Sequence, residues 1–155
     1  MTAAATAIDE AAVRDALRSV HDPEIPTVSI VDLGIVERVA VTRDTIHVEL
    51  LPTFVGCPAL DIIRDSVIEA LAPIGRPVTV DFTWRVPWTS DRISELGRAR
   101  LAASGFAPPA EPEDVRCPYC RSDRVAMDSA FGPTACRSLF YCRNCRQPFE
   151  AFKPI

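Results

Sequence analysis

Cys117-Pro-Tyr-Cys120 and Cys142-Arg-Asn-Cys145 are two C-x-x-C pairs separated by twenty-one residues in the last forty residues of the chain. Each pair is a knuckle: the backbone turns between the thiols, so both sulfurs point at one ion. Two knuckles supply the four thiolates of a tetrahedral site. The gap is close to ribbon spacing for structural zinc, and the doublet predicts a small four-cysteine zinc ribbon over residues 116–155. Tetrathiolate sites also suit iron and iron–sulfur clusters, with zinc the expected occupant. A ribbon too small to build its own core draws folding energy from its metal. Cys136, between the knuckles in Phe131-Gly-Pro-Thr-Ala-Cys136, makes a fifth cysteine for four positions. Its alternatives are a spare structural thiol, an alternative ligand or a redox-active residue.

Working upstream, Ala107-Pro-Pro-Ala-Glu-Pro-Glu-Asp114 is proline-rich and acidic, the composition of a linker. The expected division is an α+β domain over 1–105, a linker over 106–115 and the ribbon over 116–155. Asp9 reads as the N-cap of a helix running to about Ser19, with Val13, Ala16, Leu17 and Val20 at helical spacing. Pro23 and Pro26 predict an extended loop over 21–26. Ile35 to Val41 and Ile46 to Leu51 predict a β-hairpin that buries Ile46, Val48 and Leu50. Pro58 reads as the first residue of a helix whose stripe is Leu60, Ile63, Val67 and Leu71, ended by Pro73 and Gly75. Val78, Val80, Phe82 and Trp84 alternate as a third strand. A last helix from about Asp91 to Ala103 is expected after a cap at Thr89 or Ser90. The order αββαβα predicts a two-layer domain, with helices on one face of a small sheet, followed by the ribbon.

The 155 residues are 48% apolar and 25% charged, an ordinary globular composition. No apolar run approaches the roughly 20 residues that span a bilayer. The first residues have neither a basic region nor an apolar core, so no signal peptide and no membrane partner are expected. A cytoplasmic location follows as the expectation; there clustered cysteines read as metal ligands or catalytic thiols. From Arg116 onward seven basic residues face three acidic ones, so the tail is +4 and the body −8 within the overall −4. Four thiolates on a divalent ion reduce that positive charge further, and a nucleic-acid footprint is not expected.

Cys57 stands immediately before Pro58. A sulfur at the positive end of a helix dipole favours the thiolate and has a lowered pKa, which suits attack on an electrophile or transient metal holding. The alternative is a small buried hydrophobe. Asp22 and Glu24, beside His21, place carboxylates on a rigid turn; these are ligand types for iron or zinc. An acidic surface turn is the other reading. His47 is expected on an exposed strand face, and Trp84 and Trp88 in the core. No Gly-rich phosphate loop, Ser-His-Asp order or paired glycosidase carboxylates are present, nor any Glu-x-x-His pair of a di-iron oxygenase. No catalytic residue is assigned.

Asp22-Pro-Glu-Ile-Pro26, Val31-Asp-Leu-Gly-Ile35 and Gly56-Cys-Pro-Ala59 resemble the signature of the SufT-like domain linked to iron–sulfur cluster assembly. Trp88-Thr-Ser90, Gly105-Phe-Ala-Pro-Pro109, Cys117-Pro-Tyr-Cys120, residues 131–136 and Pro148-Phe-Glu-Ala-Phe-Lys153 extend the match. Together they resemble the D-subunit family of the phenylacetyl-CoA epoxidase system (PaaD/PaaJ type) over nearly the whole chain. Pro133 stands where that pattern has a small polar residue. The resemblance implies a non-catalytic accessory subunit in aerobic phenylacetate degradation, with Cys57 as the functional cysteine. It would mature or repair an iron or iron–sulfur centre in the oxygenase or reductase subunits of the epoxidase. Structural zinc and a transient iron or iron–sulfur cluster are the implied cofactors, and a homodimer is compatible with this reading. The alternative is a scaffold of the oxygenase complex that binds only structural zinc.

Overall fold

The computed structural model describes residues 8–155. Residues 1–7, read above as lacking an export signal, lie outside the described residues. Asp9 caps helix α1 (Glu10–Ala16), its Oδ1 accepting the Ala12 N–H at 2.8 Å. The helix tightens into a 3-10 turn at Leu17–Ser19, and Val13, Leu17 and Val20 are buried. The segment expected as an extended loop is instead a tight antiparallel hairpin of β1 (His21–Asp22) and β2 (Ile25–Ser29). Proline's fixed φ is compatible with an extended strand, and Pro26 has no partner in the irregular ladder, so its missing N–H breaks no pairing.

Strands β3 (Val36–Val41) and β4 (Ile46–Leu50) form the expected hairpin, with Ile46, Val48 and Leu50 fully buried. Helix α2 (Leu60–Leu71) then carries the chain to β5 (Val78–Phe82), which lies parallel to β4 in a sheet of order β3-β4-β5. Ile63, Val67 and Leu71 form the buried stripe of α2. Each such side chain contributes about 1.5–3 kcal/mol by leaving water. Helices α1 and α2 touch each other and pack against β3 and β5. The last helix of this unit, α3 (Glu95–Ala103), starts later than expected. Ser90–Arg92 form a 3-10 turn, and Ser94 is the cap, its Oγ accepting Gly97 N–H at 2.9 Å. The two tryptophans separate: Trp88 is buried and donates to the Leu33 carbonyl at 2.9 Å, whereas Trp84 lies beyond β5 and is exposed.

The second unit is a four-stranded sheet: β6 (Phe106–Ala107), β7 (Val125–Ser129), β8 (Arg137–Cys142) and β9 (Pro148–Phe152), in the order β6-β9-β8-β7. Phe140 and Phe149 stack at 5.7 Å in its small core. Phe152 instead enters the larger core of the first unit beside Trp88, with ring centroids 6.1 Å apart. Its neighbour Lys153 donates its N–H to the Cys136 carbonyl at 2.8 Å. The fold is α+β, with the ribbon docked on the first unit through Phe152 of β9 and the turn before β8.

Candidate functional site

The knuckles converge. The sulfurs of Cys117, Cys120, Cys142 and Cys145 lie within 4.8 Å of one another, and the Cys117–Cys145 and Cys120–Cys142 pairs are 3.6 Å apart. A zinc–thiolate bond of about 2.3 Å gives a tetrahedron edge of about 3.8 Å, so the donor set fits. The knuckles share one backbone pattern: Cys117 N–H donates to the Ser122 carbonyl at 3.0 Å and Cys142 N–H to that of Gln147 at 2.9 Å. In each, the residue after the second cysteine turns through the left-handed region, Arg121 at φ 64° and Arg146 at φ 60°. For a non-glycine residue that conformation costs about 1–2 kcal/mol and is kept where surroundings over-determine it. Asn144 Nδ2 donates to Cys120 Sγ at 3.5 Å and is the main cause holding that thiol down to about 6, whereas burial pushes the Cys117 and Cys145 thiols up. Four protein ligands leave the ion no open position.

The quieter residues meet elsewhere. Cys57 lies in the loop between β4 and α2, at the carboxyl end of two parallel strands, where open α/β sheets place their binding crevices. Asp22 ends β1, Glu24 lies in the turn that follows it, and Cys136 comes from the loop between β7 and β8. All four line one cavity of about 200 Å³ at the seam between the two units, together with Phe54 and Phe152. Gly56, in its wall, has φ 76°. Outside the lining, in the loop that carries Cys136, a Cβ on Gly132 would sit 3.0 Å from the Arg137 backbone. A larger hollow of about 430 Å³ over the ribbon sheet gathers no thiol.

The dipole expectation for Cys57 needs correction. Helix α2 begins at Leu60, and Pro58 sits in the preceding turn. Burial pushes the Cys57 thiol above its ordinary value and outweighs the hydrogen bond from Ala59; nearby Asp22, Glu24 and Cys136 push the same way. Burial likewise raises Cys136 and Asp22. Among the described residues the ribbon thiols alone close to ligand distance of one another; the cavity groups face a shared space without closing on a point. His21 does not line that cavity, and His47 pairs with Asp81 at 2.8 Å on the sheet surface.

Two buried charged residues, Arg137 at the seam and Asp32 beside the start of helix α3, were not among the site residues expected from the sequence. Arg137, next to Cys136, is buried at the seam and bonds Glu150 at 2.9 Å. It also donates to the Glu24 carbonyl and lies over the Phe106 ring at 4.8 Å. Asp32 is buried and accepts from Ser29 and Ser94 hydroxyls, each at 2.9 Å. Burial opposes its charge, yet those hydrogen bonds with Arg18 and Arg100 hold its pKa below the usual carboxylate range.

Residues 10–82 match the family model of the iron–sulfur cluster assembly protein, and residues 103–153 that of the PaaD zinc β-ribbon domain. An Escherichia coli (strain K12) protein named as the D subunit of 1,2-phenylacetyl-CoA epoxidase is 38% identical over 147 residues, covering 90% of this chain and 89% of that one. A Bacillus subtilis (strain 168) Fe-S protein maturation auxiliary factor is 38% identical over 57% of this chain and 89% of its own. A solved DUF59 domain from Bacillus anthracis has a TM-score of 0.56 at 28% identity, covering 59% of this chain and 90% of that domain. An assembly-type α+β unit joined to a PaaD ribbon, matched together along one relative, is decisive: the chain belongs to the D-subunit family of phenylacetyl-CoA epoxidase.

Proposed function

We propose that the chain is a non-catalytic cytoplasmic subunit of the phenylacetyl-CoA epoxidase system that matures or repairs an iron or iron–sulfur centre of the oxygenase or its reductase. One observation carries this reading: the cavity that gathers Cys57 with Asp22 and Glu24 lies in the unit that matches the iron–sulfur assembly family. Iron is the cargo, handed on rather than kept. Groups that share a cavity without closing on one point suit a transient hold better than a permanent one. The ribbon cysteines hold zinc as a structural ion, which supplies folding energy and a rigid face for the client. The acidic body argues against nucleic acid as a partner.

The test is a strain carrying Cys57→Ala, from which the oxygenase and its reductase are isolated and analysed for iron and sulfide. Under-loaded partners beside a folded, zinc-containing variant are expected. Fully loaded partners with normal turnover would sink the proposal. They would favour the scaffold reading, in which the chain binds the oxygenase through the ribbon and Cys57 is dispensable. That second reading has one observation in its favour, the absence of a second converged ligand set among the described residues.

A further inference from the structure

We propose that Cys136 of the ribbon is the second thiolate ligand of the iron cargo. Cys57 and Cys136 would then form one intramolecular metal-binding pair across the seam, with Asp22 or Glu24 completing the ligand set. This rests on the cargo reading above and deepens it. It gives the ribbon a direct part in the chemistry and lets a single chain hold its cargo without a second copy.

Several independent features place Cys136 there. The ribbon site is complete without it, since the four knuckle sulfurs already satisfy a tetrahedral ion. Its position is fixed from both sides: Lys153 donates to its carbonyl at 2.8 Å, and Arg137 N–H donates to the Thr134 carbonyl at 3.1 Å, closing the turn around it. Thr134 Oγ1 lies 3.1 Å from its sulfur and orients the thiol. Arg137, the next residue, reaches across the seam to the Glu24 carbonyl, so the loop carrying Cys136 is tied to the loop carrying the carboxylates.

The charge of the cavity points to a cation. Two thiols and two carboxylates line it, and no Lys, Arg or His does. Arg137, the nearest opposing charge to Asp22, is already committed to Glu150. Groups of one sign gathered in a half-buried space repel one another in their ionised forms. A bound divalent ion removes that repulsion and deprotonates coordinating thiols outright. On binding, each thiol releases one proton to solvent as its sulfur–iron bond forms, so two protons leave for two bonds. No electron is transferred. Thiolates with carboxylate oxygen give a mixed donor set that accepts iron.

The experiment uses the full-length, zinc-loaded protein under anaerobic conditions, so that the ribbon is saturated and added ferrous ion reports the second site. Wild type, Cys57→Ala, Cys136→Ser and the double variant are incubated with ferrous ion, with and without sulfide, then desalted. Retained iron, thiolate-to-iron absorption, zinc content and mass in solution are measured. The expected result is iron retained by single wild-type chains, with both single variants falling to the level of the double variant while zinc and thermal midpoint stay unchanged. Iron retained by Cys136→Ser but lost from Cys57→Ala overturns this inference and leaves the cargo reading standing. So does iron held by the wild type only in a two-chain species. A wild type that retains no iron overturns both. If Cys136→Ser loses zinc or stability, Cys136→Ala replaces it, and iron retained by that variant overturns the inference.

Discussion

Replacing Arg137 by Ala tests how the seam builds the cavity. The side chain is 8% exposed and makes a hydrogen-bonded ion pair with Glu150 at 2.9 Å, a bond to the Glu24 carbonyl and a stacking contact with Phe106. Hydrogen bonds to a charged group contribute about 1.5–3 kcal/mol each, and the aromatic contact about 1 kcal/mol. Against this, Arg137 Nε is buried without a partner, and removing an unsatisfied buried group recovers about 1–3 kcal/mol. The net expected loss is about 3 kcal/mol, or a fall of about 6–12 °C in Tm for a chain of this size. Arg137→Lys keeps the charge without the planar fork and is expected to lose less. Urea unfolding of zinc-loaded protein, followed by Trp88 fluorescence, reads the stability. Alkylation with iodoacetamide, the ribbon thiols protected by zinc, reads the seam through Cys57 and Cys136. Arg137→Ala should be less stable and should alkylate faster at both thiols. A loss under about 1 kcal/mol with unchanged alkylation would refute the assignment of Arg137 as the seam's tie.

Three further outcomes follow from the same geometry. Stripping zinc with a chelator should unfold the ribbon sheet while helices α1 and α2 keep their far-ultraviolet signal, because Phe152 is the one fully buried ribbon residue in their core; collapse of the whole chain would contradict a first core that stands without the ribbon's metal. Asp32→Ala leaves Ser29, Ser94, Arg18 and Arg100 facing a void and should cost about 3 kcal/mol by chemical denaturation. Because the folded pKa of Asp32 is lowered, its contribution is fully present above the ordinary carboxylate value and is lost as pH falls through the folded one, so the variant's deficit should shrink only in that acid window. Cys57 has a raised pKa, so its alkylation rate should still be climbing above pH 9, where a free cysteine levels off; a plateau near neutral pH would restore the dipole-activated thiolate.

Much of the scaffold was legible in the sequence because its signals are local. The alternation of Ile46, Val48 and Leu50, the stripe of Ile63, Val67 and Leu71 and the Asp9 cap each express one period or one hydrogen bond. The β1–β2 hairpin was hidden because proline is a general strand breaker, and only the irregular register shows that Pro26 needs no partner. The start of α3 moved because three candidate caps lie close together; Ser94, whose backbone N–H also reaches the Asp32 carbonyl at 2.8 Å, takes the role. The knuckle ligands were readable from spacing, whereas the neighbours of Cys136 were not. Its approach to Cys57 spans more than half the chain and depends on Arg137 and Phe152 docking the ribbon. The direction of the Cys57 pKa failed for a related reason: a dipole is a local property, and burial beside two carboxylates is not.

Direct transfer of cargo is the most immediate check on the assembly role. Zinc-loaded chain charged with iron and sulfide is mixed anaerobically with metal-depleted oxygenase or reductase, and the iron acquired by the partner is measured after separation. The expected result is partner loading and recovered activity with wild type, and neither with Cys57→Ala at equal zinc content. Equal loading by the two proteins, or none by wild type, would contradict a carrier role for the cavity and leave the chain a scaffold.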